Sequence, residues 1–171
     1  MDGNEGDGIV VVCDAGPLIH LDEAGCLDLL ADFKEVCVPD EVWREVERHR
    51  PSALGHAVAK FRRIAPKYPE PPELVALSQV MTLHAGEREA LHVVLELRPA
   101  MLLTDDTAAR LAAGSLGIAA HGSIGVMVRA IRRKQRTKEE ILGLLRSLPV
   151  LTTLHLSRRL LDEVIRQVES D

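Results

Sequence analysis

Ile9-Val10-Val11-Val12-Cys13-Asp14-Ala15-Gly16-Pro17-Leu18 is the stretch whose reading decides the fold. Five apolar residues run directly into Asp, Gly and Pro, the pattern of a strand buried on both faces that stops at a sharp turn. Asp14 therefore stands at the strand's C-terminal edge. In open α/β sheets the helices fold away from that edge and leave a crevice in which ligands collect. Two roles are open to Asp14 there: chemistry, or simple capping of the helix that Pro17 opens.

Working outward, the same arrangement recurs. Residues 100–104 (Ala-Met-Leu-Leu-Thr) form a second apolar strand that ends in Asp105-Asp106. Residues 35–38 predict a short strand stopped by Pro39, and 118–120 another. Between them lie helical patterns. The segment from Pro39 to Val46 starts a helix with Pro and two acids in its first turn. Val42, Trp43 and Val46 share one face, and Glu45 lies at its rim, over the sheet edge or paired in solvent with Arg48 or His49. Residues 85–97 carry an apolar stripe of Ala90, Leu91, Val93, Val94 and Leu97. Glu87 falls inside that stripe and Glu89 at its rim. A buried carboxylate needs a partner, which a helix N-terminus or a cation can supply.

Elsewhere the spacing predicts two short helical pieces at 18–20 and 27–31 broken near Gly25, and a helix over 53–63. A proline-rich extended connection and a brief helix at 73–80 come next. A helix over 107–116 is closed by Gly117. Ser123 caps a helix over 124–133, and Thr137 and Glu140 form a capping box. An amphipathic helix over 157–168 follows, its apolar side free to dock on the domain or hold a partner.

Strands alternating with helices imply an α/β fold with a mostly parallel sheet and helices on both faces. At 171 residues the chain fits one domain over 9–171, preceded by a polar, disordered tail over 1–8. No apolar run approaches the roughly 18 residues of a membrane span, and the N-terminus lacks signal-peptide character. Cys13, Cys26 and Cys37 sit in apolar surroundings without CxxC spacing, as reduced cytoplasmic thiols do. Aromatic residues make up 2% of the chain, which argues against an aromatic platform for nucleic-acid bases. The net charge is −5, yet Arg129, Arg132, Arg133, Lys134, Arg136 and Lys138 form a dense basic run. That run is a candidate for phosphate contacts, or a solvated helix end.

Four acidic points, Asp14, Glu45, Glu87 or Glu89, and Asp105-Asp106, thus converge on one sheet edge. Like charges that close raise one another's pKa unless cations intervene. Oxygen-only ligands suit Mg²⁺ or Mn²⁺ better than Zn²⁺, because His and Cys are absent from these strand ends. Such a site is suited to phosphodiester hydrolysis.

In order and spacing, VVCDAGPLIHL, VPDEVWREV, LHAGEREAL, LLTDDTAAR and GIAAHGSIGVMVRAIRR resemble a PIN-domain protein, on the bacterial and archaeal branch related to VapC-type toxin ribonucleases. The resemblance covers nearly the whole chain from Ile9. It implies a three-layer α/β/α sandwich and a Mg²⁺- or Mn²⁺-dependent endoribonuclease acting on RNA. Carried over by position, Asp14 and Glu45 match the first two acids, Glu87 or Glu89 the third, and Thr104 with Asp106 the Thr-x-Asp motif, with Asp105 beside it. Catalytic roles thereby fall to Asp14, Glu45, Glu87 and Asp106, and metal ligation to Asp14, Glu87, Glu89, Asp105 and Asp106. Thr104 and Ser123 support the site. Many family members carry Asp where this chain has Glu at the third position.

The resemblance further implies a cytoplasmic homodimer and, where the protein is a toxin, an antitoxin partner. Two other classes compete: a PIN-fold binding module without catalysis, and a phospho-acceptor domain using Asp14 or Asp105-Asp106. The latter commonly places a Lys at a later strand end, where this chain has His121.

Overall fold

The structure, a computed structural model, describes residues 8–171, so the tail expected over 1–8 lies outside the described residues except for Gly8. Val10, Val11, Val12 and Cys13 form β1 (Val10–Cys13), and their alternation sorts them between two cores. Val11 and Cys13 pack on one face and Val12 on the other. This is the period-two geometry of a strand covered on both sides. The same alternation holds in β2 (Glu35–Pro39), where Val36 and Val38 face the first core and Cys37 the second.

Among the described residues, five parallel strands make one sheet in the order β3-β2-β1-β4-β5, with β3 (Phe61–Ile64), β4 (Met101–Leu103) and β5 (Ala120–His121) completing it. Chain order moves outward from β1 to β2 and β3, then returns to β4 on β1's other side. The seam between β1 and β4 is therefore a topological switch point, the place where an open parallel sheet leaves a crevice beyond its strand ends. Asp14 leaves β1 and Thr104-Asp105-Asp106 leaves β4 on either side of that seam. Asp14 N–H donates to Leu103 O across it at 2.9 Å.

Helices cover both faces and make the three-layer sandwich. On one side lie α1 (Ala15–Glu23), a 3₁₀ turn (Leu27–Asp32), α7 (Ser123–Arg132) and α8 (Lys138–Leu151). On the other lie α4 (Pro72–Val80), α5 (Ala85–Glu96) and α6 (Thr107–Ser115). In α5, Ala90, Leu91, Val93 and Val94 are fully buried, as the stripe predicts, so truncating Leu91 to Ala would cost about 2–5 kcal/mol. The helix α2 (Asp40–His49) follows β2 and packs against α5. The last helix, α9 (Arg158–Ser170), is capped by Ser157 and docks on α8, with Leu161 and Val168 in the first core.

Three local expectations change. The helix expected over 53–63 is a single turn, α3 (Pro51–Leu54), followed by β3. As an edge strand, β3 lacks an inward apolar alternation and is held by charge. Arg62 pairs with Glu35 at 2.8 Å, and Arg63 pairs with Asp40 at 2.6 Å while its guanidinium lies over the Trp43 ring. Ser123 is the first residue of α7 instead of its cap, and Gly122 takes the cap position. Pro149 reads as the end of the helix that Thr137 caps, but it falls inside the last turn of α8, which runs on to Leu151. The capping box of Thr137 and Glu140 forms as expected.

Candidate active site

Asp14 is 6% exposed, and both carboxylate oxygens are engaged. Oδ1 accepts the Ala15 N–H at 2.9 Å, so Asp14 does cap α1. Oδ2 accepts the hydroxyl of Thr104, itself fully buried, at 2.9 Å. Those bonds favour the ionised form but do not win. Burial, with the nearby charges of Glu87 and Glu45, pushes the carboxyl up to about 7.

Glu45 comes off α2 and Glu87 off the first turn of α5, and both line the cavity that Asp14 floors. A Cβ placed on Gly86 would lie 3.3 Å from Glu45 Oε2 and 3.9 Å from Asp14 Oδ1. The missing side chain at Gly86 thus lets two carboxylates approach one patch of backbone. Glu87 also caps its helix, Oε2 accepting the His84 N–H at 2.8 Å while Oε1 lies 3.3 Å from His84 Nδ1. Capping and cavity lining coexist in both Asp14 and Glu87.

The two acids after β4 part company. Asp106 lines the cavity and caps α6 through the Ala109 N–H at 2.8 Å. Asp105 is bound on both oxygens: Oδ1 accepts the Ser123 N–H at 2.7 Å, and Oδ2 accepts the Ser123 hydroxyl at 2.6 Å and lies 2.7 Å from His20 Nδ1. Burial alone would raise Asp105, but the bonds from His20 and Ser123 outweigh it and hold the carboxyl below its ordinary range. An ionised carboxylate only accepts, so Nδ1 of His20 carries the proton in that bond. Asp105 is in effect the distant cap of α7, the reason Ser123 sits one residue inside that helix.

Glu89 does not line the cavity. Its carboxylate accepts the Glu41 N–H at 2.6 Å at the start of α2, and burial followed by the neighbouring Asp40 and Glu41 raises its pKa. Of the two candidates for the third acid, the geometry brings Glu87 and not Glu89 to Asp14.

No residue of the basic run lines the cavity. Arg129 and Arg133 both engage Asp32, at 2.5 and 2.8 Å, and Arg136 engages Asp28 at 2.7 Å. Arg129 also lies over the Phe33 ring at 4.4 Å. These cations fasten α7 and the segment after it to the 3₁₀ turn. Arg132 borders a different hollow, beside Phe33 and Ile9.

Some of the lining was not visible in the sequence. His20, His84 and His155 all border the cavity, whose volume is about 330 Å³. His20 stands on α1 one turn beyond Gly16, which also lines the cavity, and that spacing could have signalled it. His155 has no local signal: it belongs to the segment between α8 and α9. That segment is strapped to the end of α1 by Thr153, whose N–H and hydroxyl donate to the Glu23 carboxylate at 2.7 and 3.0 Å.

The donor set is chemically that of a hard divalent cation: carboxylate oxygens on a switch-point crevice, with Asp14 short of positive charge. The carboxylates ring the cavity without closing on one point. Among the described residues no three His, Cys, Asp or Glu side chains are grouped tightly enough to hold an ion as they stand. Asp14, Glu45, Glu87 and Asp106 are the residues that would hold one, whereas both oxygens of Asp105 are already taken. Also among the described residues, no helix is long and apolar enough to cross a membrane, and Cys13, Cys26 and Cys37 are buried free thiols.

Residues 10–170 match a protein family described as a PIN domain. Among solved structures, the chain is similar to a PilT N-terminus domain protein from the hyperthermophilic archaeon Sulfolobus solfataricus P2. The TM-score is 0.54 at 17% identity, covering 72% of this chain and 94% of that one. That likeness shows a shared fold. No curated protein matches the chain.

Proposed function

Because this chain belongs to the PIN-domain family, a family of nuclease-type fold, we propose that it is a Mg²⁺- or Mn²⁺-dependent ribonuclease that hydrolyses RNA phosphodiester bonds in the cavity between Asp14, Glu45, Glu87 and Asp106. The observation that carries the reading is Asp14: a carboxylate buried at the switch point, facing Glu45 and Glu87, and raised to about 7 by burial, with the charges of Glu87 and Glu45 adding to it. Carboxylates brought to one cavity from β1, α2 and α5 are the donors a hard divalent cation takes.

A bound divalent ion supplies charge stabilisation at the phosphoryl oxygen and a more acidic water. The chain's own residues supply placement. Thr104 and the Ala15 N–H fix the Asp14 carboxylate in one orientation. Gly86 leaves room for Glu45 beside it. Asp105 holds His20 by Nδ1 at the cavity wall, a ring that can keep a proton near a leaving oxygen. The strap carrying Thr153, Leu154 and His155 closes one side against water.

The test is cleavage of a mixed RNA pool with Mn²⁺, with Mg²⁺ and with chelator, comparing the wild type with Asp14→Asn. Metal-dependent cleavage that disappears in the variant supports the reading, and cleavage retained by Asp14→Asn removes Asp14 from it. The proposal extends to a cytoplasmic homodimeric toxin held by an antitoxin. Growth arrest on expression, relieved by Asp14→Asn, tests the toxin role, and the mass in solution tests the dimer.

A further inference from the structure

The acidic cavity does not end at Asp105. Beyond that carboxylate a second trough of about 310 Å³ opens, and Asp105, Leu154 and His155 border both spaces. Its lining is mixed: Arg110 and the backbone at Gly122 are polar, whereas Ile124, Leu156, Leu160 and Val164 are apolar.

We propose that this trough is the subsite for the nucleotide flanking the cleaved bond, with its phosphate on the Arg110 guanidinium and its unstacked base against the leucines. The inference rests on the ribonuclease reading and adds to it the place where the flanking nucleotide is held.

Continuity is the first support. A strand whose phosphodiester lies among Asp14, Glu45 and Glu87 must pass over a rim of the cavity, and the rim at Asp105 leads directly into the trough.

Charge is the second. Among the described residues the Arg110 side chain makes one hydrogen bond, from Nη2 to Thr104 O at 3.3 Å, and forms no ion pair with a carboxylate. A guanidinium has five donors, so most of its capacity remains for a phosphate or a base edge. By contrast, Arg129, Arg133 and Arg136 are tied to Asp32 and Asp28.

Shape is the third. A Cβ on Gly122 would lie 2.6 Å from Asp105 Oδ1 and 2.9 Å from Arg110 Nη2, so the bare backbone there is what leaves Arg110 its position in the lining. Among the apolar lining residues, Leu160 is 51% exposed, a large apolar side chain turned to solvent. Apolar side chains and a cation lining one trough suit a base with its phosphate, and only an unpaired strand can splay a base into it. A docked protein helix would cover the leucines but would need a carboxylate of its own to match the guanidinium. With leucines in place of aromatic rings, base contact is weaker than on a stacking platform, so Arg110 carries more of the binding.

The test uses the full chain with Ca²⁺ in place of Mg²⁺ or Mn²⁺, and measures anisotropy of a labelled single-stranded RNA and of its duplex at several salt concentrations. Expected are tighter binding of the single strand, about a tenfold loss in Arg110→Ala with the salt slope reduced by about one, and a severalfold loss in Leu160→Asp. Leu160 is exposed, so its variant folds even if Arg110→Ala is impaired. Wild-type affinity and salt slope in both variants, with Asp14-dependent cleavage intact, overturns the subsite and leaves the ribonuclease reading standing. If in addition the variants release a bound protein partner, the trough belongs to that partner. Neither binding nor cleavage by the wild type overturns both.

Discussion

Thr104 donates its hydroxyl to Asp14 Oδ2 at 2.9 Å across the β1–β4 seam, and the Asp106 N–H in turn reaches Thr104 Oγ at 3.2 Å. One buried hydroxyl thus links the first acid to the last. Thr104→Val keeps the shape and removes the donor. It is expected to lower stability by about 1–2 kcal/mol, read by denaturant unfolding, and to reduce cleavage about tenfold, while Thr104→Ser retains most of both.

Asp14 itself works against folding when no cation is present. Its folded pKa, about 7, lies above the ordinary carboxylate range, so ionising it costs more in the folded state than in the unfolded one. The destabilisation is absent in acid and grows as pH rises from that range to about 7. In chelator at pH 8, Asp14→Asn is therefore expected to be more stable than the wild type, by a few kcal/mol at about 1.4 kcal/mol per unit, with the gap closing towards pH 4. Adding Mn²⁺ should raise the wild-type Tm and leave the variant's unmoved. Melting curves across pH, with and without metal, check both.

Asp32 has the opposite sign. Burial would raise it, but Arg133 and Arg129 outweigh burial and hold it below its ordinary range. Its contribution is present above the ordinary carboxylate range and is lost as pH falls through the folded value. Asp32→Asn is expected to lower stability by about 2–4 kcal/mol at pH 7 and to flatten the acid limb of the stability curve. Cleavage by the folded variant stays at the wild-type level.

Glu87 and Glu89 are separated by one experiment. Glu45→Gln and Glu87→Gln should each weaken divalent-cation stabilisation in a thermal titration. Glu89→Gln should leave that titration unchanged while loosening the start of α2 by about 1 kcal/mol, since it weakens the bond to the Glu41 N–H.

Local patterns carried much of this architecture. A strand buried on both faces must be apolar throughout, so β1, β2 and β4 announce themselves, and with them Asp14 and the Asp105-Asp106 pair at their ends. Helical periodicity likewise set Glu87 on the inward face of α5. Edge strand β3 escaped because it is held by Arg62 and Arg63 pairing with acids distant in sequence, which leaves no apolar period to read. The roles of Asp105 and Ser123 escaped for a related reason: a carboxylate arriving from another strand does a cap's work, and capping rules look only along the chain. His155 and Arg110 gain meaning solely from what the fold sets beside them.

The strap through Thr153 and His155 has a consequence for the order in which the protein is made. All the carboxylates that ring the cavity lie between residues 14 and 106, yet one wall comes from a segment translated well after them and pinned back to Glu23. During synthesis the acids are in hand before the enclosure is. A chain released before Thr153 carries a complete set of acids in a basin open to water on that side, so biosynthesis itself delays the finished site until α8 and the strap behind it have emerged.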